Sequence, residues 1–178
     1  VYYRQNAVAE QTQIDLDTSN NKSVYTSRTI SLYDNSGNQY EFWFNTGSES
    51  APSGGAGHFS KEVDISAGSV VTDADVAAIL DAAIEGPGGY IVSATASVSS
   101  ADPFTSSVST SRVSVTANTA GPTTDATMHA TLGTITVTQQ GKSQSSDPAT
   151  VEASALSGKT GIFVAYDDGD SANTIASN

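Results

Sequence analysis

The chain has 178 residues, of which 19 are acidic, 7 are basic and none is cysteine. Its length favours a single domain, and its formal net charge of −12 argues against nucleic-acid binding, which needs clustered Lys and Arg. The lack of cysteine excludes a disulfide framework and a thiolate metal site, and two histidines, His58 and His129, cannot make a three-His zinc site. We therefore expect no cofactor.

The first 23 residues lack sustained hydrophobic periodicity and end in a polar run. Such a segment is ordered only when it docks on something. We therefore predict an N-terminal arm over residues 1–23.

A β-hairpin is the clearest element of the sequence. Residues 29–33 and 38–45 bracket an Asp-Asn-Ser-Gly turn at 34–37, whose Asn and Gly tolerate positive φ. The alternation of a strand places Tyr40, Phe42 and Phe44 on one face and Trp43 on the other. We expect both faces of this strand to be covered.

A loop, a short strand and a helix follow the hairpin. Residues 46–59 contain four glycines and Pro52, which predicts a surface loop, and residues 62–65 return as a strand. Thr72 is a suitable N-cap for a helix over residues 73–86. Its apolar stripe has helical spacing and comprises Val76, Ile79, Leu80, Ala83 and Ile84.

The remaining sequence alternates β-rich stretches with polar connections. Strands are predicted around residues 90–98, 113–115, 135–137 and 161–166, and connections at 99–111, 118–131 and 141–148. The expected fold is mainly β, an antiparallel β-sandwich with one helix packed on a sheet and extended N- and C-terminal arms. The body spans residues 24–142, and residues 143–178 form a C-terminal strand and extension.

Groups suited to catalysis are scarce in this sequence. Both histidines lie in loop-like contexts without a G-x-S-x-G signature. Asp81 and Glu85 are four residues apart on the helix and fit a solvated face better than a pair of glycosidase carboxylates. We therefore expect no enzymatic activity.

Two acidic stretches could hold calcium, but neither matches the EF-hand loop. They are residues 15–20, with Asp15, Asp17 and Asn20, and residues 167–170. We interpret both as solvated turns, with a bound cation as the alternative.

Aromatic side chains are the best candidates for contacts with other chains, because they dominate interface energetics. The candidate interface residues, with one histidine among them, are Tyr2, Tyr3, Trp43, His58, Phe59, Phe163 and Tyr166.

Several motifs resemble a module of structural proteins of tailed bacteriophages. They are Tyr40-Glu-Phe-Trp-Phe44, Val63-Asp-Ile65, the Ala-rich helix, Thr116-Ala-Asn-Thr-Ala-Gly121 and Val137-Thr-Gln-Gln-Gly141. The resemblance covers roughly residues 29–142. It implies a virion or appendage protein without indicating which part of the particle.

The resemblance and the scarcity of catalytic groups lead to one functional hypothesis and one alternative. The hypothesis is a self-assembling virion structural protein: a tail-tube, coat or decoration subunit, or a related extracellular filament subunit. Its partners would be copies of itself and other virion proteins, without membrane insertion or nucleic-acid sequence recognition. The alternative is a fibre or adhesin domain in which the 46–59 loop and Trp43 bind a surface glycan or receptor.

Overall fold

The computed structural model describes residues 6–86, 89–93, 96–97 and 102–144. Within them, residues 7–143 belong to one compact unit, called the body below. The strand predicted at residues 161–166 lies outside the described residues, as does nearly all of the predicted 143–178 extension.

In the described residues the body is a mainly β sandwich of two sheets with one α-helix, as predicted, and it also has two short 3₁₀ helices at Lys22–Tyr25 and Ala130–Leu132. Its elements are β1 (Gln11–Leu16), β2 (Thr29–Tyr33), β3 (Gln39–Asn45), β4 (His58–Asp64), α1 (Asp73–Glu85), β5 (Ile91–Ser93), β6 (Ala96–Ser97), β7 (Phe104–Ser109), β8 (Arg112–Ala117), β9 (Thr127–Met128) and β10 (Gly133–Gln139). The four-stranded sheet has the order β10-β1-β8-β7, and the six-stranded sheet has the order β6-β5-β4-β3-β2-β9.

One buried hydrophobic cluster joins the facing sides of the two sheets. The four-stranded sheet contributes Ile14 and Val113, and the six-stranded sheet contributes Ile30 and Phe42. The predicted hairpin is confirmed as β2 and β3, which pair antiparallel from Thr29 opposite Trp43 to Tyr33 opposite Gln39. Tyr40, Phe42 and Phe44 are buried in the core, and Trp43 is buried on the opposite face.

The helix is confirmed over Asp73–Glu85 and begins with a capping box. The Thr72 hydroxyl accepts from Asp75 N at 3.1 Å, and the Asp75 carboxylate accepts from Thr72 N at 2.9 Å, so two backbone donors are satisfied reciprocally. Val76, Leu80 and Ile84 are buried. The helix contacts β7, β8 and β1 of one sheet and β4 of the other, so it packs against both sheets.

The arm predicted for residues 1–23 is wrong for residues 11–16. These residues form β1, which pairs with β10 on one side and β8 on the other and is therefore an interior strand. Every second residue of β1 is buried: Thr12, Ile14 and Leu16. Residues before β1 are held too, since Val8 and Lys142 exchange two backbone hydrogen bonds of 2.9 Å each.

Two predicted connections also contain strands. Residues 99–111 include β7, and residues 118–131 include β9. Both strands are dominated by exposed or half-buried residues, so little hydrophobic alternation marks them in the sequence. A further difference concerns β3 and β4, which pair in parallel within an otherwise antiparallel sheet.

Three buried tyrosines make the body sensitive to alkali. Burial is the main cause that raises the pKa of Tyr25, and its hydrogen bond to Asp73 raises that pKa further. Burial and the charge of Asp34 raise the pKa of Tyr40 to about 12. Burial also raises the pKa of Tyr90. Folding thus favours the neutral phenols. Their stabilising contribution is complete below the unfolded-state pKa of about 10 and is lost as the pH rises above it.

We expect the melting temperature to fall as the pH rises above about 10, with tyrosinate absorbance from these residues appearing only as the chain unfolds. Parallel pH titrations of circular dichroism and ultraviolet absorbance measure this coupling. Tyr40→Phe, which keeps the ring and removes the hydroxyl, should weaken the alkaline loss. Ionisation of all seven tyrosines with the secondary structure intact would contradict the expectation.

Candidate interaction surfaces

The parallel pairing of β3 and β4 forces the chain to cross the sheet between them. Residues 46–57 make this crossover without a helix, although parallel strands are usually joined by one. The inner face of the sheet is filled by the core, so the crossover covers the outer face. Gly54 lies directly on His58, because a Cβ at Gly54 would clash with the His58 imidazole ring.

The start of the crossover is anchored by Glu49. Its carboxylate accepts from the hydroxyl and backbone N–H of Thr46 and from the N–H groups of Gly47 and Ser48. The Thr46 hydroxyl first, and the backbone donors with it, lower the pKa of Glu49 to about 2. A charged Glu49 therefore fixes the turn by which the chain leaves β3.

Trp43 is covered by the crossover and is only 7 % exposed. Its indole Nε1–H has no hydrogen-bond partner among the described residues. A groove of about 390 Å³ runs beside it and is lined in part by Arg28, Glu41 and Pro52. A sugar cannot stack on a ring that is covered in this way, so the arrangement disfavours Trp43 as a glycan platform.

His58 is paired with Glu41 on the same outer face. The His58 Nε2–H donates to Glu41 Oε2 at 2.7 Å, and the two side chains are 13 % and 16 % exposed. The nearby Ser60 hydroxyl is fully buried and makes no hydrogen bond within the described part of the chain. Ser60 therefore lacks, in this arrangement, the hydrogen bond to a histidine base that activates a nucleophilic serine.

The other candidate interface residues have different positions. Phe59 is half-buried and stacks on Tyr40 on the inner side of the sheet, with ring centroids 4.9 Å apart. Tyr2, Tyr3, Phe163 and Tyr166 lie outside the described residues, and their roles stay predictions. The structure therefore places Trp43 and His58 on the same outer face but at different positions along it, since His58 lies opposite Gln39 and Trp43 opposite Glu62, and it places Phe59 against the core.

The edge of β10 is an interaction surface that the sequence reading missed. β10 lies at the end of the four-stranded sheet with β1 on one side only. In an antiparallel ladder, alternate backbone N–H and C=O groups of such a strand point away from the sheet. Beyond its pairing with β1, no described backbone group bonds to residues 133–139. We call this side of Gly133–Gln139 the β10 edge.

The β10 edge lacks most of the usual protections against pairing, although its register with β1 shifts by one residue at Thr138. Edge strands are typically kept short, charged, bulged away or interrupted by proline. This strand has seven residues without charge or proline, and Thr134, Thr136 and Thr138 are exposed. Ile135 and Val137 are half-buried on the inner side, so apolar surface continues to the edge.

The other described sheet edges are short or covered. β6 and β9 have two residues each. At β7, the Ser106 N–H donates to Glu85 Oε1 at 3.1 Å and its hydroxyl donates to Asp81 O at 3.3 Å, so helix α1 occupies that edge. Among the described strands, β10 therefore offers the longest open edge.

The outer face of the four-stranded sheet is almost free of charge. It is lined by Ser, Thr and Gln side chains: Gln11, Gln13, Thr105, Ser107, Ser109, Ser114, Thr116, Thr134 and Thr136. The charges on it are Asp15 and Arg112, which neutralise each other through a hydrogen bond of 2.6 Å. A second acidic chain could therefore approach this face with little repulsion.

The oxygen groups of the first calcium candidate are mostly engaged in other contacts. Asp15 binds Arg112, and the Asn20 side-chain oxygen accepts from Asp73 N at 2.9 Å, so two of the three oxygen groups in residues 15–20 are engaged. Residues 167–170 lie outside the described part. Across the described residues there is no group of three or more His, Asp or Glu side chains placed to hold a metal ion.

Comparison of the chain with protein-family models, with characterised proteins and with solved structures finds no match. In the described part of the chain, no helix has the length and apolarity needed to cross a membrane.

Proposed function

We propose that this chain is a virion structural subunit that works by associating with copies of itself and with other particle proteins. The observation that carries the proposal is the β10 edge, a seven-residue uncharged strand whose outer backbone groups have no described partner. A tail-tube, coat or decoration subunit, or a subunit of a related extracellular filament, would use such an edge for contact.

The β10 edge offers a partner backbone hydrogen-bonding groups that are unpaired in the described part of the chain. An open strand edge is a template for another strand, because backbone N–H and C=O groups bind any chain in an extended conformation. Natural monomers suppress this pairing, whereas β10 leaves it available. Repeated by symmetry, one such contact per subunit is enough to build a ring or a filament.

The distribution of charge supports the same conclusion. The chain carries a net charge of −12, which repels other copies wherever the acidic groups face one another. The β10 edge and the adjoining sheet face are neutral overall, because Asp15 and Arg112 compensate each other. Association through this region therefore meets less electrostatic resistance than association elsewhere on an acidic surface.

A charge-insertion experiment tests the proposal. Lysines on an edge strand oppose pairing, so Thr136→Lys/Thr138→Lys is expected to weaken self-association by about tenfold or more, equivalent to about 1–2 kcal/mol. Both positions are exposed, and the fold should be retained. Sedimentation velocity over a concentration series measures the association.

The matched control is Thr105→Lys/Ser107→Lys, which adds the same charge at exposed positions of β7, where helix α1 already covers the edge. This variant should associate like the unmodified chain. Equal weakening in both variants would indicate a general charge effect and count against the β10 edge.

A further inference from the structure

We infer that the strand which pairs with the β10 edge is the segment of residues 161–166 from a neighbouring copy. The inference rests on the proposed function and names the partner of the same surface. It combines two observations. No described strand pairs with the outer side of β10. The chain that follows the body contains a segment whose sequence is typical of a strand.

The proposed donor is Gly161-Ile-Phe-Val-Ala-Tyr166. It is the longest uninterrupted apolar run after residue 143 and contains no charge. Its Ile, Phe, Val and Tyr residues are among the best strand formers. The segment begins at Gly161 and is followed by Asp167-Asp168, so its length is about that of an ordinary strand.

The acceptor edge suits an apolar strand on one side and a polar surface on the other. Side chains of an added strand would alternate between the two faces of the sheet. One set would extend the inner face beside Ile135 and Val137, which are half-buried at present. The other set would lie beside Thr134 and Thr136, whose methyl groups can contact apolar or aromatic neighbours.

The connecting chain is long enough to reach a neighbour. Residues 144–160 separate the body from the donor segment. Fully extended, such a linker spans roughly 55–60 Å, and as a flexible chain its ends lie about 20–25 Å apart on average. Seven residues of β10 extend over roughly 23 Å, so the linker can place a strand along the edge of an adjacent copy.

Subunits can be added one after another only if the donor segment docks on a neighbouring copy and not on its own body. Each subunit would supply one donor segment and one acceptor edge, which is a head-to-tail arrangement. Such contacts close into rings or continue as filaments, according to the rotation between subunits. Docking within one chain would cover the edge and end the assembly.

Disulfide trapping in the full-length chain tests the inference. The chain contains no cysteine, so any disulfide must join the introduced residues. Thr136→Cys and Val164→Cys chains are prepared separately, mixed under association conditions and oxidised. We expect a disulfide-linked dimer that contains one chain of each variant, and a ladder of linked species from the double variant. In the control, Ser107→Cys replaces Thr136→Cys, and the mixed dimer should be lost.

Three outcomes would overturn the inference. A double variant that links only within its own chain would show docking in cis. Dimers formed by Thr136→Cys alone, without Val164→Cys, would show pairing of two β10 edges. Assembly with no cross-link between these positions would place the contact elsewhere.

A second measurement separates this inference from the proposed function. Phe163→Ser/Val164→Ser should abolish assembly and speed amide hydrogen exchange in residues 134–138, whereas Val151→Ser/Leu156→Ser, a matched change in the linker, should do neither. If the unmodified chain assembles and the first variant assembles equally well, the inference fails and the proposed function stands. If the unmodified chain does not assemble at all, both fail.

Discussion

Deletion of residues 1–16 is expected to abolish the cooperative unfolding transition of the body. The deletion removes β1, so β8 and β10 each lose a hydrogen-bonded neighbour. It also removes Ile14 and Leu16 from the core, where both are almost completely buried. Since the core runs between the two sheets, the three strands left of the four-stranded sheet cannot close over it.

The effect should extend beyond the strand itself. Glu10 is buried and accepts hydrogen bonds from Thr12, Thr123 and Gln140. The segment before β1 is therefore bonded to residues that lie more than 100 positions further along the chain. Differential scanning calorimetry measures the transition. The control is deletion of residues 1–6, which should keep it. A cooperative transition in the chain lacking residues 1–16 would show that β1 is dispensable.

The second large effect is expected at Asp73, which is 7 % exposed at the start of α1. Its carboxylate accepts from Thr18 N at 2.8 Å, Thr18 Oγ1 at 2.5 Å, Tyr25 Oη at 2.7 Å and Asn20 N at 3.2 Å. This one group therefore fixes the connection between β1 and β2 to the helix.

Asp73→Ala should destabilise the body by about 3–4 kcal/mol. The substitution removes the acceptor of the buried Tyr25 and Thr18 hydroxyls, which are shielded from water and are then left without a hydrogen bond. That loss corresponds to a fall in melting temperature of roughly 10 °C. Chemical denaturation measures the free energy of unfolding. Asp64→Ala removes an exposed carboxylate bonded to Ser66 N and should cost less than about 0.5 kcal/mol. Equal effects of the two substitutions would refute this role.

The same residue gives an acid dependence with a definite sign. Burial by itself would raise the pKa of Asp73, but the hydrogen bonds from Thr18, Tyr25 and Asn20 together outweigh it and lower the pKa. A lowered folded-state pKa contributes stability that is present above the unfolded-state pKa of about 3.9 and lost as the pH falls through the folded-state value. The difference in stability between the unmodified chain and Asp73→Ala should therefore narrow in acid.

The parts of the fold that sequence reasoning could predict are those fixed by local patterns. The hairpin of β2 and β3 follows from aromatic alternation around an Asn- and Gly-containing turn, and α1 follows from its 3.6-residue stripe and Thr72 cap. In each case the residues that determine the element are close together in the chain.

The parts that were missed depend on residues far apart in sequence. β1 alternates polar and apolar residues, but one of its inward positions is Thr12, so only Ile14 and Leu16 signal a buried face. β7 contributes a single buried residue, Phe104, and is held by its partner β8 and by the helix. The parallel pairing of β3 with β4 depends on where the crossover lies, which no local pattern encodes.

The candidate surfaces divide in the same way. The aromatic pattern predicted that Trp43 lies opposite the core-facing aromatics, but its cover by residues 46–57 depends on the crossover. The strand near residues 135–137 was predicted, yet its position at the end of a sheet follows only from the order β10-β1-β8-β7. An edge is a property of the whole sheet, so it could not be found before β1 was recognised.

Sedimentation velocity of the unmodified full-length chain, followed from dilute solution to its solubility limit, tests the central claim most directly. Association through the β10 edge predicts larger species that grow with concentration, together with slower amide exchange in residues 134–138 as they form. A chain that remains a monomer at the highest concentration, with the same rapid exchange along β10, would contradict the proposed structural role.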